Sequence, residues 1–225
     1  DREVDLPSKA RKHYDDIESK LWLMIDQDVK VVAANASAKT HKLRQFCQGA
    51  VFTVDENGER SPDWHRVHDV KLDELESIRN EACGMPVLVA YEYTFDRERI
   101  LAAFPDAEVF DDDPETEARW NRGEIPMLLI QYQSSSFGSN LQDGSNIIVL
   151  YGMTWNLEYY EQVIERVGPV RQKQSGHDRG TIVYRIIMRD SIESVMRNRI
   201  KTKSSVQNAL MQARRNRRMK QCIAD

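Results

Sequence analysis

The chain has 225 residues, 40% of them apolar and 30% charged, and a net charge of −4. No apolar run approaches the ~18–20 residues of a membrane span, and no basic-then-apolar leader opens the chain. Cys47, Cys83 and Cys222 stand too far apart for a Cys-built zinc site and suit a reducing cytoplasm. The charge is uneven: residues 201–225 hold seven Lys/Arg against one Asp, a local +6, which leaves −10 for the rest. The chain opens on Asp1 without a methionine, as a fragment of a longer protein does.

Residues 7–26 are predicted helical, with Pro7 in a first turn and Tyr14, Ile17, Leu21 and Met24 at helical spacing. A second helix is expected over 35–48, stopped by Gly49. Residues 51–54 form a strand that enters a hairpin-type turn, Asp55-Glu56-Asn57-Gly58. Trp64, His65 and His68 read as a packed junction before the next region.

From His68 onward the pattern becomes strand–helix alternation. Residues 71–83 are amphipathic and end at Gly84; 87–91 form an apolar strand, 96–104 a helix, 108–110 a short strand and 114–122 a short helix. Two buried strands follow, at 127–130 and 147–151, and a last one at 181–188. Five strands alternating with helices predict a parallel sheet covered on both faces. Helices at 191–200 and about 204–220 close the chain. The basic residues at the end of the second one read as a solvated helix end or as a nucleic-acid contact.

The two strands at 127–130 and 147–151 frame the most informative stretch. The first runs into a small-residue loop, Ser134-Ser135-Ser136-Phe137-Gly138-Ser139-Asn140. The second leads through Trp155-Asn156 into a helix carrying Gln162 and Arg166, followed by a loop with Arg171, Gln172 and Gln174. In open α/β sheets, ligands sit beyond the strands' carboxyl ends. Small residues let backbone N–H groups approach oxygens, and guanidinium forks suit a polyphosphate.

This stretch resembles the second motor lobe of superfamily-two helicases, in particular the SWI/SNF-type DNA-dependent ATPases and their phage-encoded members. Ser134, Gly138, Asn140 and Leu141 match the family's S-x-G-x-G-x-N-L segment, with Ser136 where the family has its middle glycine. Trp155-Asn156, Gln162 and Arg166 fit its W-N followed by Q-x-x-x-R. The family's second arginine comes three residues after the first; position 169 is Pro here, and Arg171 takes the role two residues later. The resemblance spans most of the chain.

It implies a RecA-like α/β fold. Residues 1–66 would form a helical extension or inter-lobe insertion, 67–190 the helicase C-terminal lobe, and 191–225 a helical brace with a basic tail. By the same resemblance, Arg166 and Arg171 are the catalytic arginine fingers, and Gln162, Gly138 and Asn140 bind nucleotide. Ser134, Ser135 and Tyr91 contact nucleic acid, Tyr91 and Tyr93 standing where the family's strand-end motif faces DNA. Ser134, Ser135 and Asn140 read equally as residues of a loop that only caps its own turn. ATP and Mg²⁺ are the implied cofactors, and DNA and an N-terminal RecA-like lobe the implied partners. The setting is the cytoplasm of a bacterial or phage-infected cell. A non-catalytic nucleic-acid-binding module and a methyltransferase-like α/β enzyme are the alternatives, but the latter needs a Gly-rich loop where Glu92-Tyr93-Thr94-Phe95 stands.

No G-x-x-x-x-G-K-[ST] loop occurs anywhere in the sequence. Asp73-Glu74-Leu75-Glu76 imitates a helicase metal-binding motif but lies inside an amphipathic helix. The acid run 106–117 carries seven carboxylates and reads as a solvated loop on the sheet's edge, away from the cleft. The five histidines show no ligand spacing, and no metal site is assigned.

Overall fold

The structure, a computed structural model, describes residues 1–27, 32–54, 60–133, 139–203, 209–210, 212–213 and 216. Strand β1 (Arg2–Val4) is followed by helices α1 (Ser8–Gln27) and α2 (Val32–Gln48), then by a hairpin of β2 (Ala50–Val54) and β3 (Arg60–Arg66). After α3 (Val70–Glu81) come β4 (Val87–Tyr91), α4 (Thr94–Ala103), β5 (Ala107–Val109), α5 (Pro114–Asn121), β6 (Met127–Gln131), β7 (Ile147–Leu150), α6 (Leu157–Glu165), α7 (Pro169–Gln174), β8 (Ile182–Met188) and α8 (Ile192–Thr202). The expected turn at 55–58 and most of the helix expected over 204–220 lie outside the described residues.

The chain forms two compact units. One joins Asp1–Val4 to Asp69–Ile187, and the other joins Asp5–His68 to Met188–Asp225. The first is built on a sheet in the order β1-β8-β7-β4-β6-β5, in which the strands from β8 to β5 pair in parallel. β4, β6 and β7 carry near-continuous apolar runs because helices cover both faces, so alternation would leave polar groups in the core. β1 adds a sixth strand that Arg-Glu-Val has too little pattern to announce.

Two expectations need correction. Residues 171–174 are helical, not loop: Gly168 ends α6's path and Pro169 starts α7 at N1, where its missing N–H costs nothing. Trp64 and His65 belong to a strand, β3, pairing with Phe52 and Val51. Pro62 hides that strand in the sequence, and it is tolerated because a two-stranded sheet has only edges.

In the second unit, Tyr14 is completely buried and its hydroxyl accepts the Ile192 N–H at 2.6 Å, tying α1 to the start of α8. Burial holds that phenol well above its ordinary pKa. Ser191 caps α8 through the Glu193 N–H (3.1 Å).

In the sheet, β4 passes the chain toward β5 on one side while β7 passes it toward β8 on the other. The connections diverge between the carboxyl ends of β4 and β7, where open α/β sheets form a ligand crevice. A packed polar layer occupies that position here. The buried Lys71 ammonium donates to the Tyr151 carbonyl (3.0 Å) and the Tyr132 hydroxyl to the Gly152 carbonyl (2.8 Å). Asp96, completely buried, accepts the Tyr93 N–H at 2.9 Å and so caps α4. Burial pushes its carboxyl up to about 7, against the pull of the Tyr93 N–H, Arg99 and Lys71.

That shift has a definite sign in stability. Between 3.8 and about 7 the folded carboxyl keeps a proton that the unfolded chain has released. Stability therefore falls as pH rises through this window. Asp96→Asn keeps an oxygen for the Tyr93 N–H and has nothing to titrate. Urea midpoints from pH 5 to 8 should show the wild type losing up to about 1.4 kcal/mol per pH unit relative to Asp96→Asn; parallel curves would mean that Asp96 titrates like an ordinary carboxylate.

Candidate functional site

Because β6 and β7 both run parallel to β4, their connection must travel from the carboxyl end of one to the amino end of the other. Its outward part, with Ser134, Ser135 and Gly138, lies outside the described residues. Its return limb, 139–146, is held from two sides. From α5, Glu117 Oε1 accepts the Asn140 N–H (3.3 Å), Asn121 Nδ2 donates to the Asn140 carbonyl (2.7 Å) and Trp120 Nε1 to the Leu141 carbonyl (2.8 Å). Gly144 passes so close to Trp120 that a Cβ there would stand 2.5 Å from both its indole nitrogen and its carbonyl oxygen. From α7, the buried Gln172 amide lies within bonding distance of the carbonyls of Gln142 (3.0 Å), Ser145 (2.9 Å) and Val167 (3.2 Å). Its Oε1 accepts from Arg179 Nε at 2.8 Å. Gln172 is thus held by backbone carbonyls at its nitrogen and by Arg179 at its oxygen, and is not an amide free to orient a ligand.

The two arginines meet on this limb. Arg166 caps the carboxyl end of α6 and is only 4% exposed, whereas Arg171 is half-buried in α7. One Nη1 from each donates to the same oxygen, the Ser139 carbonyl, at 3.2 Å and 2.9 Å. Arg171 Nη1 also donates to Asn140 Oδ1 at 2.7 Å. Burial and the neighbouring Arg171 cation lower the pKa of Arg166, while Asp112 and Glu117 oppose the shift. A guanidinium stays charged through such a shift. The two cations thus meet over a carbonyl and an amide oxygen, with the charges of Asp112 and Glu117 acting on Arg166.

The other predicted residues fall elsewhere. Gln162 is half-exposed on α6 and donates to Glu158 Oε1 one turn earlier (3.1 Å). Asn156 is the N-cap of α6, its Oδ1 accepting from the N–H groups of Glu158 (2.9 Å) and Tyr159 (3.2 Å). Tyr91 and Tyr93 are buried, and burial raises the Tyr91 phenol although Arg97 hydrogen-bonds to it.

The acid run is more structured and closer to the site than expected. Asp106 pairs with Arg79, Glu108 with Arg119 and Glu115 with Arg122, while Asp113 caps α5. Asp112 and Glu117 face Arg166 electrostatically. The reason is topological: the acids run from β5 through the turn into α5, and α5 flanks the returning loop. Among the described residues, no group of three or more His, Cys, Asp or Glu could hold a metal ion, and no helix is long and apolar enough to cross a membrane. Glu117, Trp120, Asn121 and Arg179 carry no motif that marks them in the sequence. Only the contact between loop and helices brings them together.

The fold defines a class: it is a RecA-like α/β lobe, similar to the ATPase domains of the SWI2/SNF2 type. The C-terminal part of the Fun30 ATPase domain superposes with a TM-score of 0.64 over 92% of this chain and 91% of that one, at 16% identity. The SWI2/SNF2 ATPase core domain of Sulfolobus solfataricus gives 0.57 over 89% of this chain and 42% of that one, at 14% identity. In sequence the chain is 42% identical over 210 residues to protein p41 of Acyrthosiphon pisum secondary endosymbiont phage 1, covering 93% of this chain and 44% of that protein. It is 31% identical over 91 residues to the chromatin-remodeling ATPase INO80 of Lodderomyces elongisporus, covering 40% of this chain and 5% of that protein. The chain thus spans less than half the length of the curated relatives it matches. No protein-family profile matches it.

The division of labour inside α7 is testable by stability alone. Gln172→Ala would orphan buried carbonyls and the Arg179 donor, and should lower unfolding free energy by about 1–3 kcal/mol. Arg171→Ala, which removes a half-exposed cation from a crowded pair, should change it by less than about 1 kcal/mol. Equal losses in urea titrations would show that Arg171 is part of the loop's structural support.

Proposed function

We propose that this lobe serves an ATP-dependent DNA translocase or helicase, supplying Arg166 and Arg171 as arginine fingers to a P-loop lobe on another part of the protein. The observation that carries the reading is the convergence of both guanidinium groups on the Ser139 carbonyl. Such a pair gains most when an anion with several oxygens replaces that carbonyl, and a nucleotide's terminal phosphate is one. On the transferred phosphoryl group the two arginines would stabilise charge that builds in the transition state, an effect of about 10³–10⁵ in rate. Gln162, Gly138 and Asn140 would contact the nucleotide, and Ser134 and Ser135 the DNA backbone. Buried as it is, Tyr91 would act on DNA only by shaping the strand end.

Mg²⁺ does not fit this chain's own residues, since among the described residues no group of three or more His, Cys, Asp or Glu could hold a metal ion. The acids that hold it would belong to the P-loop lobe, together with the lysine that this sequence lacks. The lobe alone should therefore not hydrolyse ATP. Residues 1–66 would serve as the inter-lobe insertion and 191–225 as the brace.

In the complete ATPase, Arg171→Ala should lower kcat by roughly 10³ while leaving the KM for ATP nearly unchanged, because a finger acts on the transition state. Arg171→Lys should not restore the rate, since a point charge lacks the planar fork. Wild-type turnover in both Arg166→Ala and Arg171→Ala would leave a nucleic-acid-binding module of the same fold as the better reading. DNA binding should be indifferent to sequence, with a log–log salt slope of about −0.9 per duplex phosphate neutralised, or about −0.7 for single strands. Sequence-selective binding that survives high salt would contradict the motor reading.

A further inference from the structure

The two arginines, Asn140 and Glu117 all meet one peptide unit. The Ser139 carbonyl accepts from Arg166 and Arg171, and the Asn140 N–H on the other edge of the same plane donates to Glu117 Oε1. In a trans peptide these two groups point in opposite directions. Whatever fixes the N–H therefore fixes where the carbonyl aims. A carboxylate at the N–H also polarises the unit and makes the carbonyl a stronger acceptor for two cations. Asn140 adds a second hold, since its Oδ1 accepts Arg171 at 2.7 Å.

Glu117 differs from its acidic neighbours on β5 and α5. Glu108 and Glu115 are each neutralised by an arginine of the same region. Among the described residues Glu117 has no such ion pair; its side chain is spent on the Asn140 N–H, and its charge acts on Arg166.

We propose that Glu117 is a positioning residue for the arginine pair, acting through the Ser139–Asn140 peptide. This rests on the motor-lobe reading of the arginines. Glu117 touches no reacting atom. It sets the plane against which Arg166 and Arg171 are aligned before an anion takes them over. Without it the N–H edge of the peptide loses its hold, and the guanidinium groups lose their common aim.

The test uses the complete ATPase and three variants. Glu117→Ala should reduce kcat by about 10–100-fold, the scale of a misaligned catalytic group, with little change in the KM for ATP. Glu117→Gln keeps an oxygen at the same reach and should recover most of the rate. Hydrogen exchange at the Asn140 amide should quicken in Glu117→Ala and stay near wild type in Glu117→Gln. If Glu117→Ala does not fold, Glu117→Asp, which draws the carboxylate back by one methylene, should show the same loss and the same faster exchange. Normal turnover in Glu117→Ala beside a crippled Arg171→Ala would overturn the positioning role and leave the fingers standing. An equal loss in Glu117→Ala and Glu117→Gln, with unchanged exchange in both, would also overturn it. Normal turnover in Arg166→Ala and Arg171→Ala would instead remove the motor reading on which it rests.

Discussion

The Ser139–Asn140 peptide is the joint on which the site depends. Its carbonyl is shared by two guanidinium groups and its N–H is held by a carboxylate. Each of those side chains comes from a different helix: Arg166 from the end of α6, Arg171 from α7 and Glu117 from α5. A single backbone unit thereby registers three helices against each other. The hydrogen bonds are charge-assisted, which makes them stronger than a neutral pair. Two like charges at one oxygen nonetheless repel, and the charges of Asp112 and Glu117 oppose that repulsion at Arg166.

The joint works because the loop behind it cannot drift. Gln172 gathers three carbonyls under the return limb, and Trp120 closes it from the other side with an indole N–H and a ring that admits only glycine at 144. These are neutral hydrogen bonds of buried groups, and their loss would leave carbonyls unpaired away from water. Structural support and charge are thus carried by adjacent residues of one short helix. Gln172 faces inward to the backbone while Arg171 faces the joint. The crevice between β4 and β7, where the topology would otherwise receive a ligand, is packed by Lys71, Asp96 and Tyr151.

Much of this was legible in the sequence, for physical reasons that differ by element. The strands β4, β6 and β7 announce themselves because a sheet buried on both faces needs uninterrupted apolar runs. Helix α5 is marked by Asp113 and Pro114, a cap followed by a residue suited to N1. The pairing of Arg166 with Arg171 was reachable only through the family resemblance; the helical register alone argues against it. Glu117 was invisible as a site residue. In sequence it is the last of seven acids, and only the crossing of α5 over the returning loop separates it from those that merely pair with arginines. β3 was hidden by Pro62, and α7 by its brevity.

The register of the two arginines shows how the chain accommodates the displacement to position 171. On a continuous α-helix, a residue three places after Arg166 would sit about 60° away around the axis, and one five places after would sit about 140° away. Arg171 on an unbroken α6 would therefore face away from its partner. The chain avoids this by stopping α6 at Arg166 and starting α7 at Pro169. Gly168 makes the break possible, since a Cβ there would press to 3.2 Å on the Glu165 Cα and 3.3 Å on the Ile164 carbonyl. The turn resets the helical phase, and Arg171 comes back to the oxygen that Arg166 holds. Proline at 169 is thus not simply a lost arginine. It begins the helix that delivers the next one, so the unusual spacing and the short helix α7 are two aspects of one solution.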